Sequence, residues 1–162
     1  MTPNPIFQKI QRLCALLGIT LCFVFTGCGA KTVRLTDEFK VTKDNVSMWA
    51  TWVKDKGKKY DLNLNIANNT DKDVIIMLEE MSCFRGSNRG ALKHTFFNTG
   101  ERVIDFRAGQ MKGFNLVCDL QANVEGDFKI KVAKVYENLG GDGKTRGKAI
   151  ASDLEWKINI VK

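Results

Sequence analysis

Chemistry in a protein needs side chains that attack, shuttle protons or hold metals, and this chain offers few of them. His94 is the single histidine, which rules out zinc sites built on histidine pairs. No Ser/His/Asp order has the sequence context that such triads carry. Glu79-Glu80 pairs two carboxylates, but neighbours on a strand point to opposite faces. Gly143-Lys144-Thr145 ends like a phosphate-binding loop, yet the glycine required five residues earlier is Asn138, and the pattern that follows is a strand. The expectation is a non-enzyme with no metal and no dissociable cofactor.

The amino terminus is more informative. Met1 to Arg12 carries Lys9 and Arg12 and no acid, and Leu13 to Phe25 then runs thirteen residues without a charge. A basic start, an apolar stretch of about 7–15 residues and small residues at the exit make a secretory signal. A permanent span usually needs about 20 apolar residues. The exit reads Phe25-Thr26-Gly27-Cys28. Thr26, Gly27 and Cys28 resemble the bacterial lipobox, with Phe25 where leucine is usual. The resemblance implies cleavage before Cys28, a covalent diacylglyceryl and acyl lipid on its thiol and amine, and anchorage in a lipid membrane. Gly29, rather than aspartate, is similar to outer-membrane sorting signals, so the outer membrane is favoured over the inner. Ordinary cleavage after Ala30 and an uncleaved anchor are the alternatives.

These expectations divide the chain into a signal over 1–27, a tether over 28–32 and one domain over 33–162. The signal holds two of the positive charges, so the net charge of +7 falls to +5 over the remaining 135 residues. A moderately basic surface suits anionic envelope components; no nucleic-acid motif is present. With Cys14 and Cys22 in the signal and Cys28 acylated, Cys83 and Cys118 remain. An even pair in an oxidising compartment reads as a disulfide, the alternative being two buried thiols acting as small apolar residues.

Period-two alternation dominates the domain. Tyr60, Leu62, Leu64 and Ile66 share one phase. So do Phe114, Leu116 and Cys118; Phe128, Ile130, Val132 and Tyr136; Ile150, Ser152, Leu154, Trp156, Ile158 and Ile160. Val46, Met48, Ala50 and Trp52 form a further apolar face, with Trp49 opposite. Asp73 to Met81 is apolar on both phases and reads as a strand covered on both sides or central in its sheet. Val33 to Val41 and Arg102 to Phe106 complete the set. About seven to eight strands with Asn, Asp and Gly turns between them predict an all-β, antiparallel sandwich. Leu62 to Leu78, with its Asn68-Asn69-Thr70-Asp71 turn, looks like the paired strands of small immunoglobulin-like domains of bacterial envelopes. Arg107-Ala108-Gly109-Gln110 is similar to a turn those domains carry.

Binding residues are sought in Phe84 to Arg102, which breaks the rhythm with Arg85-Gly86-Ser87-Asn88-Arg89-Gly90. As a loop, Arg85, Arg89, Lys93, His94 and Phe97 would offer cations and aromatics to an anionic or glycan-like partner. The favoured reading is an edge strand with Leu92, His94 and Phe96 on one face. The basic turns at Lys54–Lys59 and Lys144–Lys148 suit either membrane phosphates or the protection of exposed sheet ends. The function expected is a membrane-anchored, non-catalytic binding or structural module of the cell envelope. The alternative is an inhibitor or chaperone of an envelope enzyme acting through residues 84–102.

Overall fold

Alternating apolar residues build eleven strands, all paired antiparallel, in a computed structural model that describes residues 31–35, 39–94, 102–140 and 145–159. The signal, Cys28 and Phe97 lie outside these residues. The strands are β1 (Lys31–Arg34), β2 (Val41–Lys43), β3 (Val46–Asp55), β4 (Lys59–Asn68), β5 (Val74–Met77), β6 (Met81–Arg85), β7 (Asn88–His94), β8 (Val103–Phe106), β9 (Met111–Asp119), β10 (Phe128–Asn138) and β11 (Arg146–Ile158). The all-β antiparallel class follows the sequence expectation. The strand count is higher because two expected strands are divided. Val33 to Val41 yields β1 and β2, two short pieces on the same edge of β3. Asp73 to Met81 is broken by a 3-10 turn at Leu78–Glu80, so β5 and β6 lie end to end along β10.

The pairings make two layers. One runs from β1 and β2 through β3, β4 and β9 to β7. The other holds β11, β10, β5 with β6, and β8. β7 belongs to both: Asn88–Gly90 pairs with β6, and Ala91–His94 with β9. The crossing falls at Gly90, directly over the Cys83–Cys118 disulfide (2.03 Å between sulfurs), which ties β6 to β9. A methyl at Gly90 would meet Cys118 Sγ at 2.6 Å and Cys83 Sγ at 2.9 Å, so only glycine lets the strand pass.

One apolar core fills the space between the layers. Tyr60 of β4 stacks on Phe128 of β10 at 4.7 Å between ring centroids, and Phe114 of β9 meets Phe106 of β8 edge-on. Leu62, Leu64, Leu116, Ile130, Leu154 and Trp156 are buried around them. Each such side chain contributes about 1.5–3 kcal/mol on burial. Val74 and Ile76 face this core, whereas Ile75 is fully buried outside it. The doubly apolar pattern of β5 therefore reflects cover on both faces in a central strand.

The inner phase departs from simple alternation in three places. A bulge between Ala50 and Trp52 puts Val53 into the core and turns Trp52 out. In β10, Val135 is buried and Tyr136 is not. In β11, Ala151 replaces Ser152, across a backbone break at Asp153, whose φ is +53°. β4 and β5 are not paired strands, because the Asn68–Asp73 connection crosses between the layers.

Asn68 fixes that crossing. Its Nδ2 donates to the carbonyls of Lys72 (2.7 Å) and Arg107 (2.9 Å), and its Oδ1 accepts from Thr70 N and Oγ1. The two turns singled out by resemblance are thus bound to each other at one end of the sandwich. The start of β1, the β3–β4 turn and the β6–β7 turn lie at the other end: Lys31 pairs with Asp55, Leu120 N bonds Lys58 O, and Gly86 N bonds Asp127 O.

Candidate functional site

The five residues expected to line a binding loop do not converge. Gly86-Ser87 is a two-residue hairpin turn, with Gly86 at the positive φ (56°) that such turns need first. Arg85 continues the inward phase of Met81 and Cys83; it is 2% exposed, and its guanidinium lies 5.6 Å from the Tyr60 ring centroid. Burial, then Asp55, raise the Tyr60 pKa despite that cation. His94 is half-buried and edge-on to Phe114 at 5.7 Å, and desolvation lowers its pKa. Arg89 and Lys93 are exposed on the opposite phase. The alternation from Met81 to Arg85 was the signal for an inward arginine. Glu79 and Glu80 lie in the 3-10 turn rather than a strand, and Glu80 accepts a hydrogen bond from Tyr136 Oη at 2.8 Å. Among the described residues, no group of three His, Cys, Asp or Glu side chains is placed to hold a metal.

A surface cleft of about 680 Å³ opens at the Asn68 end, between the Asp44–Asn45 turn, the β4–β5 connection and the start of β11. Its polar groups serve the scaffold. Asn69 bonds Ser47 Oγ and, through its backbone, Asn45 O. Lys72 is held by Glu137 at 2.8 Å, and that hydrogen bond raises its pKa. The cleft offers Lys148 and Ile150 but no converging reactive set.

The outer face of the first layer is more ordered. Cross-strand partners share a face, so the pairs Trp49–Asn65 and Trp52–Asn63 place both indoles beside outward amides. The β9 partners of those amides are Gly113 and Asn115. Asn63 joins the group: its Oδ1 accepts from Thr51 Oγ1 (2.8 Å) and Asn65 Nδ2 (3.2 Å), and its Nδ2 donates to Asn115 Oδ1 (3.0 Å). A methyl at Gly113 would reach Asn65 Oδ1 at 2.8 Å, so glycine leaves room for that amide to lie across the sheet. Lys40 Nζ lies 4.9 Å from the Trp49 ring centroid, and Arg34 pairs with Trp52. Both indoles are half-buried and neither belongs to the core. Strict alternation puts Trp52 inward, so sequence reasoning missed this cluster.

No family model and no curated protein matches the chain. In fold it is similar to the crystal structure of a candidate lipoprotein (ycdA) from Bacillus subtilis subsp. subtilis str. 168, with a TM-score of 0.51 at 10% identity over 75% of this chain. The chain spans only 38% of that one. A functionally unknown protein from Listeria monocytogenes EGD-e is similar at a TM-score of 0.49 and 13% identity, over 83% of this chain and 90% of that one. At 10% identity the likeness to the Bacillus subtilis structure shows the fold alone.

Proposed function

We propose that the protein is a lipid-anchored module of the bacterial cell envelope that binds a partner without transforming it. The Cys83–Cys118 bridge carries this reading. It occupies the two cysteines of the domain, as expected for an exported chain, and leaves Cys28 at the lipobox for acylation. The Bacillus subtilis neighbour, itself described as a candidate lipoprotein, agrees with that setting.

Lys31 and Thr32 belong to β1 rather than to a tether, which leaves Gly29 and Ala30 as the linker. Three residue steps from Cys28 to Lys31 span about 10 Å at most. The anchored end of the sandwich then carries the Lys56–Lys59 turn. Lys56 is engaged by Asp61 and Lys59 by Asp119, while Lys58 in the same turn is exposed to solvent. On the partner side, the outward indoles and amides are groups that bind rather than move protons.

Mass spectrometry of the amino-terminal peptide from cell membranes tests the anchor. An acylated peptide beginning at Cys28 is expected, banding with the outer membrane on a density gradient, and Cys28→Ser should leave the membrane fraction without it. An unmodified start at Lys31 would overturn the anchored reading.

A further inference from the structure

Lys31, the first residue of β1, pairs with Asp55 at the end of β3, and the lipobox cysteine stands three residues before it. Fully extended, that stretch reaches about 10 Å. β1 is what keeps the tether short. Through β2 alone the first held residue would be Val41, about 45 Å from Cys28 at full extension. Register pairs with β3, a backbone bond from Leu35 N to Thr51 O at 2.9 Å, and packing of Val33 and Leu35 against the core make the hold.

The end of the sandwich nearest Lys31 is closed by three connections locked side by side. Leu120 N bonds Lys58 O and Gly86 N bonds Asp127 O, both at 2.9 Å, so the β3–β4 and β6–β7 turns flank the β9–β10 connection. The approach is close: a methyl at Gly57 would lie 3.0 Å from Asn123 Oδ1, and one at Gly86 2.7 Å from Glu125 O. Lys58, Ser87, Ala122, Asn123 and Glu125 are exposed on this end. Among the described residues the exposed large apolar side chains are Phe39, Met111 and Leu139, and none of them lies in these connections. Such an end suits the polar headgroup layer of a bilayer rather than the hydrocarbon beneath it.

Length decides which end can reach that layer. β4 runs the length of the sandwich, from Lys59 beside the β3–β4 turn to Asn68 at the other end, and its 10 residues span about 30 Å. A tether of about 10 Å cannot turn the sandwich over and set its Asn68 end on the surface.

We propose that the anchored sandwich stands end-on, with its β3–β4, β6–β7 and β9–β10 connections resting on the lipid headgroups. The Asn68 end, with its cleft and the exposed Met111 and Leu139, is then held about 30 Å from the surface, where components outside that bilayer can reach it. The proposal rests on the lipid-anchored reading above.

Single cysteines replace Ala122 or Ser87 at the near end and Ala108 at the far end, all three exposed. With Cys28 acylated and Cys83 bridged to Cys118, the added thiol is the one a fluorophore labels. The protein, expressed at full length and processed in cells, is purified from membranes in detergent. It is reconstituted into phosphatidylethanolamine–phosphatidylglycerol vesicles carrying a nitroxide-headgroup lipid, which quenches at contact range. Labels on Ala122→Cys and Ser87→Cys should lose most of their emission, and the label on Ala108→Cys almost none. If Ala122→Cys folds poorly, Ser87→Cys carries the comparison. A flexible Gly/Ser insertion of about twenty residues after Ala30, roughly 25 Å end to end, should abolish the contrast without touching the folded domain. Equal quenching at the three positions, stronger quenching on Ala108→Cys, or a contrast that survives the insertion would overturn the proposal. Mass spectrometry of the same samples separates the two readings. An acylated Cys28 with equal quenching leaves the anchor and removes the orientation, whereas an unmodified amino terminus removes both.

Discussion

Gly90→Ala tests the strand crossing where β7 passes over the disulfide. The added Cβ would lie 2.6 Å from Cys118 Sγ, 2.9 Å from Cys83 Sγ and 3.0 Å from Leu120 Cδ2. Ordinary contacts of this kind sit at about 3.5–4.0 Å, so the methyl needs roughly 1 Å of room. Leu120 can turn aside. The sulfurs cannot, because each is held by the other and by a strand in the opposite layer. Overpacking of this kind costs about 1–3 kcal/mol, and the rigid obstacle places this site near the top of that range. The backbone of Gly90 is not in the left-handed region, so alanine recovers about 0.4–1 kcal/mol through the unfolded chain. The net loss expected is about 1.5–2.5 kcal/mol.

Urea unfolding followed by tryptophan emission reads that loss. Its cause is isolated by repeating the substitution in a Cys83→Ala/Cys118→Ala background, where both sulfurs are gone. There Gly90→Ala should cost less than about 0.5 kcal/mol, giving a coupling of roughly 1–2 kcal/mol in the double-mutant cycle. Removing the bridge itself, which closes a 35-residue separation, should cost about 4 kcal/mol from the entropy of the unfolded chain. Sucrose keeps that background folded for measurement. An equal cost in both backgrounds would refute the steric account of this glycine.

Asn68→Ala should destabilise by about 2–4 kcal/mol, because the carbonyls of Lys72 and Arg107 lose their donor inside the structure; a loss below 1 kcal/mol in urea unfolding would count against the locked turns. Asn68→Asp should be worse, since a carboxylate would then face both carbonyls. Burial holds the His94 pKa below its ordinary value, so the unfolded chain binds the proton more readily and stability rises with pH. The contribution is complete above the unfolded value of about 6.5 and falls as pH drops from there towards the lower folded value. Thermal midpoints between pH 7.5 and 5.5 should decline more in the wild type than in His94→Gln, and parallel declines would dismiss the assignment.

Much of the fold was legible because burial on one face writes itself as alternation. Tyr60 to Ile66, Phe114 to Cys118 and Leu154 to Ile158 all face the core as their phase requires. Cys118 pointed inward by the same rule, which made a bridge to Cys83 credible before its geometry was known. The breaks were illegible because they shift phase without changing composition. Lys134 breaks the inner row of an otherwise regular strand, and Val135 takes the core position from Tyr136. β11 reverses phase at the same level, so the pairing of Val132 with Leu154 and of Lys134 with Ser152 is kept. Asp153 was the available clue, since aspartate tolerates positive φ better than most residues.

The candidate site was missed for the same reason, and more completely. One residue, Thr51, decides which side of the sheet Trp52 occupies, because a single extra residue in one strand sends every later side chain to the other face. Without the bulge, Trp52 would take the core position that Val53 holds, and Trp49 would share the outer face with Val53 instead. With it, Thr51 Oγ1 bonds Asn63 and the two indoles share a face with the amides. The hydroxyl that ties the bulge to its neighbour strand is therefore also part of the surface the bulge creates. Residues 84–102 drew notice by their charge and glycine content, but charge alone did not distinguish Arg85, turned into the core, from Arg89, turned to solvent. The asparagines at 63, 65 and 115 looked like ordinary polar positions on an outer phase. Their significance comes from register, which sets Asn63 opposite Asn115 and Asn65 opposite a glycine.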